Sequence, residues 1–256
     1  MRILLTNDDG IDAPGIRTLK AVLEEAGHEI TVIAPDKEQS AASHSITLHE
    51  PLRIIKRSEV EFAITGSPAD CIILASRVIL KEAPDLVISG INGGGNMAEN
   101  ILYSGTVAAA LEAMFMGYKA IAISIDSHSN QKFETAAVLM KKFIDNEIYS
   151  LIGEKEVFNI NVPNKELEEI KGVRITRTGN RHYQDFIKED KDPRGQKIYW
   201  IGGAKPTWKD EAGTDYKELN AGYVSITPIA PNFTVESSMD KIDLWIQKEN
   251  LHENRR

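Results

Sequence analysis

Two adjacent carboxylates, Asp8 and Asp9, lie in the segment TNDDGIDAPG that follows the first apolar run of the chain. Neighbouring carboxylates repel each other unless a cation neutralises them, and carboxylate oxygens suit Mg²⁺ and Mn²⁺. The alternative is an ordinary turn, because Asp-Gly is a common turn pair and Asp12 could cap the helix that follows. The pair therefore predicts either a divalent-metal site or a helix start.

A glycine-rich segment, SGINGGGN at residues 89–96, also follows an apolar run. Its glycines allow backbone amides to approach an anion closely. The side chains of Asn92 and Asn96 offer a carbonyl oxygen to a metal or an amide to a phosphate. Further along, Ser104, Gly105 and Thr106 open an alanine-rich helix, and the free amides and positive dipole at a helix start favour a phosphate.

A third polar segment, APDKEQSAASHSIT at residues 34–47, carries three serines, Ser40, Ser43 and Ser45. Their hydroxyls could complete a metal shell or bind a ligand, or the segment could be a solvated loop. Lys37 is the only Lys or Arg in the three segments. A phosphate bound there would therefore depend on a metal and on backbone amides for positive charge.

Apolar periodicity indicates which elements position these segments. A strand is predicted at residues 2–6, a helix at 16–26 ending at Gly27, and a second strand at 29–34. The later predictions are a hairpin at 52–57 and 60–65, helices at 69–79, 106–116 and 131–146, and strands at 85–89, 120–125 and 157–161. This alternation predicts an α/β, Rossmann-like, doubly wound and mostly parallel sheet, in which ligands bind beyond the carboxyl ends of the strands.

The composition changes after Val162, where polar residues, prolines and short strand-like runs become frequent. We therefore predict a Rossmann-like catalytic core at residues 1–162 and an extended lobe at 163–256. This lobe would be a β-rich arm ending in a helix near 238–249. Long arms of this kind often pack on another subunit.

The overall composition excludes several classes of protein. A formal net charge of -8 argues against a binder of nucleic-acid duplexes, which normally carries a basic patch. No apolar run is long enough to span a membrane, and the N-terminus is too polar for a signal peptide, so a cytoplasmic protein without a membrane partner is expected. The single cysteine, Cys71, lies in an apolar run and is expected to be buried.

Familiar catalytic motifs are absent from the sequence. It has no G-x-x-x-x-G-K-[ST] loop, no G-x-G-x-x-G after the first strand, no G-x-S-x-G and no H-E-x-x-H. His44 is the only histidine inside the three polar segments. An aspartyl-phosphate mechanism needs two aspartates two positions apart, whereas Asn7 precedes the adjacent pair Asp8 and Asp9, so covalent catalysis is not expected.

The assembled motifs resemble those of the SurE family of stationary-phase survival proteins, which are metal-dependent 5′/3′-nucleotidases. The resemblance spans nearly the whole chain. It rests on NDDG with APG, the serine segment after IAP, GSPADC (residues 66–71), SGIN with GGGN, YSGTVAAALE, DPRG, GTD and GYVSITP. It implies a Rossmann-like core and a C-terminal arm exchanged between the subunits of a homodimer or homotetramer.

The same resemblance implies the roles of individual residues. One divalent cation per subunit, Mg²⁺ or Mn²⁺, would be held by four residues: Asp8, Asp9, Ser40 and Asn92. The phosphate of a nucleotide substrate would meet four others: Asn96, Ser104, Gly105 and Thr106. One departure is visible, because Ala41 follows Ser40 where the family commonly has glycine.

These observations predict a hydrolase of phosphoric monoesters, a 5′-nucleotidase, that works by in-line attack of a metal-activated water. Asp8 or Asp9 would orient the water or accept its proton. Two alternatives remain. One is a nucleotide sensor without turnover, and the other is a sugar-nucleotide glycosyltransferase, suggested by APG followed by GHEITVIAP. Such transferases usually need a second nucleotide-binding domain of about 150 residues or more, and residues 163–256 do not show one.

Overall fold

The computed structural model describes residues 1–182, 185–203, 207–208 and 211–248. Within them the chain forms strands that are numbered in chain order. They are β1 (Arg2–Thr6), β2 (Glu29–Pro35), β3 (Ile54–Lys56), β4 (Glu61–Ile64), β5 (Leu86–Gly93), β6 (Ala120–Ile125), β7 (Val157–Val162), β8 (Val173–Ile175), β9 (Arg181–His182), β10 (Asp185–Lys191), β11 (Lys197–Gly203), β12 (Thr207–Trp208) and β13 (Val224–Ile229). The α-helices are α1 (Pro14–Glu25), α2 (Pro68–Leu74), α3 (Gly105–Phe115), α4 (Phe133–Asp145), α5 (Asp215–Asn220) and α6 (Glu236–Lys248).

Nine of these strands form one sheet in the order β3-β4-β2-β1-β5-β6-β7-β13-β8. The six strands from β4 to β7 in this order run parallel to one another. β3 is antiparallel to β4, as the predicted hairpin requires, and β13 is antiparallel to β7. The predicted mostly parallel α/β sheet is therefore confirmed.

Helices cover both faces of this sheet. The side chains of Ile3 and Leu5 lie in one buried cluster together with apolar residues of α1 and α4. Leu4 points to the opposite face and lies in a second cluster with residues of α2 and α3, including the fully buried Cys71. Since successive side chains of a strand alternate between the faces, a continuous apolar run such as RILLT supplies both cores.

The structure differs from the prediction at the end of β5, where residues 90–93 were assigned to a loop. β5 continues to Gly93, because after an irregularity between Ser89 and Asn92 the chain pairs again with β6, Asn92 beside Ser124. Asn92 is therefore held by the sheet, which limits how far its side chain can move.

The chain after Val162 contributes to the same sheet through β8 and β13. β10 and β11 form a separate antiparallel hairpin, with β9 and β12 paired near its base. The α6 helix contains no buried residue. A division at 162 into a catalytic core and an oligomerisation lobe stays a prediction. No helix in the described part of the chain is long and apolar enough to cross a membrane.

Candidate active site

A cavity of about 840 Å³ lies beyond the carboxyl ends of the central strands. Six of the predicted site residues line it together: Asp8, Asp9, Ser40, Asn92, Asn96 and Ser104. Gly105 and Thr106 lie directly behind Asp8 and do not line the cavity. A smaller cavity of about 610 Å³ lies at the amino ends of β1 and β2, away from all of these residues.

Asp8 is the most restrained of these side chains. It is 5% exposed, and the Thr106 hydroxyl, itself fully buried, donates a hydrogen bond to its Oδ1 atom. A Cβ atom added to Gly105 would lie 2.7 Å from the Asp8 Cβ, so the start of α3 packs directly on this aspartate. Asp8 therefore has one position, set by β1 and by the N-terminus of α3.

The pKa values of both aspartates indicate a site that favours a cation. Burial raises the pKa of Asp8 above its usual range, although hydrogen bonds from Thr106 and from nearby backbone amides partly oppose this. Burial, followed by repulsion from Asp8, raises the pKa of Asp9 to about 6, and Glu38 adds to the repulsion. A positive charge bound between these carboxylates would reverse these shifts, because it stabilises their ionised forms.

This shift predicts how pH changes the stability of the metal-free protein. Because the folded-state pKa of Asp9 is about 6 against an ordinary value of 3.8, the folded protein holds a proton between about pH 4 and pH 6 that the unfolded chain has released. Folding stability should therefore fall as pH rises through this window, by up to about 3 kcal/mol before solvent screening is counted, and then level off.

Urea unfolding in EDTA at about pH 5 and about pH 7.5 measures this effect. Asp9→Asn is the control, since it removes the titrating group and should flatten the dependence. Saturating Mn²⁺ should stabilise the wild-type protein more at the higher pH, because protons then compete less for the carboxylates. A metal-free protein that gains stability between these two pH values would contradict the prediction.

The serine segment reaches the cavity through contacts with both other loops. The Gln39 amide donates to the Asp8 carbonyl at 2.7 Å, which brings Ser40 to the cavity, where its Oγ donates to Glu38 Oε1 at 2.6 Å. The Ser43 Oγ donates to the Leu102 carbonyl at 2.6 Å. The loop is therefore fixed on both sides of Ser40.

The far end of the serine segment is held by the buried carboxylate of Asp70. Asp70 accepts hydrogen bonds from the Thr47 amide and hydroxyl at 3.0 and 2.6 Å. It also forms a capping box with Ser67 at the start of α2. The motif GSPADC thus ties a helix start to the loop that carries Ser40.

Ala41, the residue that departs from the family pattern, has φ +58°. This left-handed conformation favours glycine and costs other residues roughly 1–2 kcal/mol. Ala41 therefore has a backbone conformation that glycine adopts readily, and it adds strain to the loop at the residue after Ser40.

The amide side chains on the opposite wall are also oriented by hydrogen bonds. The Asn92 Nδ2 donates to the Gly94 carbonyl at 2.6 Å, which leaves its Oδ1 as the acceptor available to a cation. The Asn96 Nδ2 donates to the Ser124 Oγ at 2.9 Å. The backbone of Asn96 is held by two buried residues of β7, since Asn159 and Asn161 both donate to its carbonyl, at 2.8 and 3.0 Å.

Ser104 is the N-cap of α3, where its Oγ accepts a hydrogen bond from the Val107 amide at 3.1 Å. The Ser104 hydroxyl proton is then available to a ligand in the cavity. The first turn of α3 is aimed at Asp8, so the positive end of the helix dipole acts on the same small region as the two carboxylates.

The donor set fits a hard divalent cation. It consists of the Asp8 and Asp9 carboxylates, the Asn92 carbonyl oxygen and the Ser40 hydroxyl, all of them oxygen ligands. Among the described residues, no group of three or more His, Cys, Asp or Glu side chains could hold a metal. A cation here would consequently use two carboxylates, two neutral oxygens and solvent.

The cavity has few sources of positive charge. Its described lining residues include Asp8, Asp9 and Glu38 but no Lys or Arg, and Lys37 is exposed outside it. This agrees with the composition of the three polar segments, in which Lys37 is the only Lys or Arg. An anionic ligand would therefore be repelled unless a cation is bound.

Sequence reasoning missed several residues of the cavity, notably His128, Tyr103 and Ile201. His128 packs against Gly94, where an added Cβ would lie 2.4 Å from its Cε1 atom. It follows β6, so applying the carboxyl-end rule to that strand would have found it. His44, which the segment analysis singled out, instead pairs with Glu112 of α3 at 2.9 Å.

The family model described as "Survival protein SurE" matches residues 3–185. A protein of Histophilus somni named 5'-nucleotidase SurE is 45% identical over 249 residues, covering 97% of this chain and all of the relative. Its namesake from Stenotrophomonas maltophilia is 42% identical over 248 residues, covering 96% of each chain.

A solved structure gives the same result for the fold. The crystal structure of the SurE protein from Aquifex aeolicus matches this chain with a TM-score of 0.85 and 39% sequence identity. The match covers 96% of this chain and 99% of the Aquifex chain. The resemblance drawn from the motifs is therefore confirmed over nearly the full length.

Proposed function

The chain belongs to the SurE family, and from this premise we propose that it is a divalent-metal-dependent 5′/3′-nucleotidase that hydrolyses nucleoside monophosphates. The observation that carries the proposal is the cavity in which Asp8 and Asp9 adjoin the start of α3. The relatives named 5'-nucleotidase support the substrate class.

In this proposal one Mg²⁺ or Mn²⁺ ion per subunit is held by Asp8, Asp9, Ser40 and Asn92. When bound, such an ion supplies Lewis-acid charge to a phosphoryl group and lowers the pKa of a water molecule. The fit of the site rests on its oxygen donors and on the raised pKa values of the two carboxylates.

The substrate phosphate is bound by the opposite wall of the cavity. Asn96 and Ser104 offer an amide and a hydroxyl that line the cavity, and Gly105 with Thr106 provides the positive end of α3. These groups hold the phosphate for in-line attack by water and stabilise the charge that develops on its oxygens.

The two aspartates divide the remaining work in this proposal. Asp8 is held by Thr106 and the start of α3, which suits it to hold the cation in one position. Asp9 is less buried and has fewer hydrogen bonds, so its carboxylate is the group that accepts the proton of the attacking water. No residue of the described cavity is required as a covalent nucleophile.

The test is phosphate release by the purified full-length protein from nucleoside 5′- and 3′-monophosphates and from an aryl phosphate. We expect turnover with Mn²⁺ or Mg²⁺ and its loss in excess chelator, with recovery when the metal is restored. Undiminished turnover in chelator would refute the metal dependence. Binding of a nucleotide with no release of phosphate would instead favour the non-catalytic sensor.

We also propose that the protein forms a homodimer or homotetramer through its C-terminal arm. α6 presents Met239, Ile242, Leu244 and Trp245 with 55–65% of each residue exposed. An isolated helix of this length with no packed face is marginal in water.

Light scattering should therefore give a mass of two or four chains, with Trp245→Glu shifting it towards one chain. A wild-type protein that is monomeric at micromolar concentration would contradict the proposal.

A further inference from the structure

Asp215, at the start of α5, is a fully buried carboxylate outside the cavity. Its Oδ2 atom accepts a hydrogen bond from the Ala98 amide at 2.9 Å. Its Oδ1 atom accepts from the amides of Gly179 at 2.9 Å and Tyr216 at 2.8 Å. The Asp215 side chain therefore joins the start of its own helix, α5, to two segments that lie far from it in the sequence.

Ala98 lies next to the wall of the cavity that is proposed to bind the substrate phosphate. Ala98 lies between Asn96 and Ser104, which both line the cavity, and it begins the 3-10 helix Ala98–Leu102. Its φ of +49° is a left-handed conformation that alanine rarely adopts. The hydrogen bond that the Ala98 amide donates to Asp215 thus holds the loop at a residue that would otherwise favour a different backbone conformation.

The contact with Gly179 falls at the base of the hairpin segment, which we define as β9–β12 together with the described residues between Gly179 and β9 and between β10 and β11. A Cβ atom added to Gly179 would lie 3.0 Å from the Asp215 Oδ1, so the carboxylate is enclosed on this side. β11 of the same segment carries Ile201 to the rim of the cavity. Asp215 is thus bonded on one side to the phosphate loop and on the other to a segment that reaches the cavity rim.

We propose that Asp215 is a positioning residue that holds the loop between Asn96 and Ser104 in its phosphate-binding geometry and couples that loop to the hairpin segment. The inference rests on the proposed function, because it assigns this loop to the substrate phosphate. Asp215 acts on the backbone of the loop and does not touch the substrate.

Asp215→Asn is expected to remove the contact with Ala98 while keeping the contact with Gly179, and it hardly changes the size of the side chain. The variant has one acceptor oxygen, and pairing it with the Gly179 and Tyr216 amides would place its NH₂ group against the Ala98 N–H. Two donors cannot bond to each other, so the loop contact is lost. Losing a hydrogen bond to a charged group is expected to weaken the binding of phosphate by roughly 10- to 100-fold.

The expected result is a Ki for inorganic phosphate and a KM for a nucleoside monophosphate that both rise by roughly tenfold or more, with the Kd for Mn²⁺ changed less than about twofold. Hydrogen exchange at the Ala98 amide should become faster by a similar factor. Asp192→Asn is the matched control, since Asp192 caps the hairpin turn through the Arg194 and Gln196 amides and should leave all these values unchanged.

Gly179→Ala tests the coupling from the hairpin side, and also serves if Asp215→Asn does not fold. Its new methyl group crowds the Asp215 carboxylate and should raise the Ki for phosphate in the same direction by roughly threefold or more, although Gly179 does not line the cavity. An unchanged Ki in the folded variants, or an equal loss of Mn²⁺ affinity, would overturn the proposal. If the wild type lacks turnover, the Kd for inorganic phosphate from titration calorimetry replaces the Ki, and hydrogen exchange is measured as before, so the two proposals can fail separately.

Discussion

Asp9→Asn is expected to lower kcat/KM for nucleoside monophosphates by about three orders of magnitude or more, roughly 4 kcal/mol of transition-state stabilisation. Asparagine keeps the shape of the side chain but removes the negative charge that pairs with a cation. It also removes the group proposed to accept a proton. Asp8→Asn should have an effect of the same order, with its Oδ1 still able to accept the Thr106 hydrogen bond.

The measurement is steady-state phosphate release together with Mn²⁺ binding by titration calorimetry. The wild-type protein should bind about one ion per chain, whereas both variants should bind it much more weakly. Circular dichroism should show that the variants are folded. Removing a carboxylate from this pair should even stabilise the metal-free protein, because burial raises both pKa values and repulsion from Asp8 raises that of Asp9 further.

Asp12→Asn is the matched control for this pair. Asp12 lies in the same loop but is exposed and forms an ion pair with Arg17 at 3.2 Å. Exposed ion pairs contribute about 0–1 kcal/mol, so this variant should keep nearly full turnover and metal affinity. Turnover within about tenfold of the wild type in Asp9→Asn, with unchanged metal dependence, would remove the paired aspartates from the mechanism.

Gly105→Ala is expected to have the second large effect, a loss of about 100-fold or more in kcat/KM. The added Cβ would lie 2.7 Å from the Asp8 Cβ and 3.1 Å from the Pro68 Cγ. Asp8 is fixed at the end of β1 and Pro68 is the first residue of α2, so neither can move easily. The start of α3 must shift instead, which changes its position relative to the Asp8 carboxylate.

This variant should also be less stable by about 1–3 kcal/mol, the usual cost of overpacking a buried site. Kinetics, Mn²⁺ affinity and thermal unfolding should be measured on the same preparation, because the loss of activity in the folded fraction is the quantity that matters. We expect the Kd for Mn²⁺ to rise as well, since the methyl group presses on a proposed ligand.

Gly153→Ala is the matched control for this substitution. Gly153 lies outside the site, and the atoms nearest to its added Cβ belong to the Glu156 side chain, at 3.3 Å, which is flexible and can move aside. This variant should behave as the wild type in all three measurements. Wild-type turnover by Gly105→Ala would mean that close packing of α3 on Asp8 is not needed for catalysis.

Much of the fold could be predicted because its elements are specified locally. Apolar runs such as residues 2–6 and 120–125 are short and bounded by turn residues, and their strands form at the predicted positions. α1 ends where Gly27 allows φ +82°. The end of β5 was not predictable, since three glycines in a row indicate a loop and only pairing with β6 extends the strand to Gly93.

Part of the candidate site was also accessible, because ligands of open α/β sheets lie at the carboxyl ends of strands. This rule identified Asp8, Asp9, Ser40 and Asn92 as candidates, and the structure places all four around one cavity. Their roles as metal ligands stay a proposal. His128 was missed because the rule was not applied to β6.

The sequence by itself determined the family, the strand and helix pattern and the presence of a single basic residue, Lys37, in the three loops, since each is a property of neighbouring residues. The tertiary structure alone decided which distant groups meet. Thr106 bonds Asp8 across 98 positions, Asn161 bonds Asn96 across 65, and Asp215 bonds Ala98 across 117. Such contacts leave no local signal, because a buried hydrogen bond depends on where the packed sheet brings two segments and not on the residues beside them.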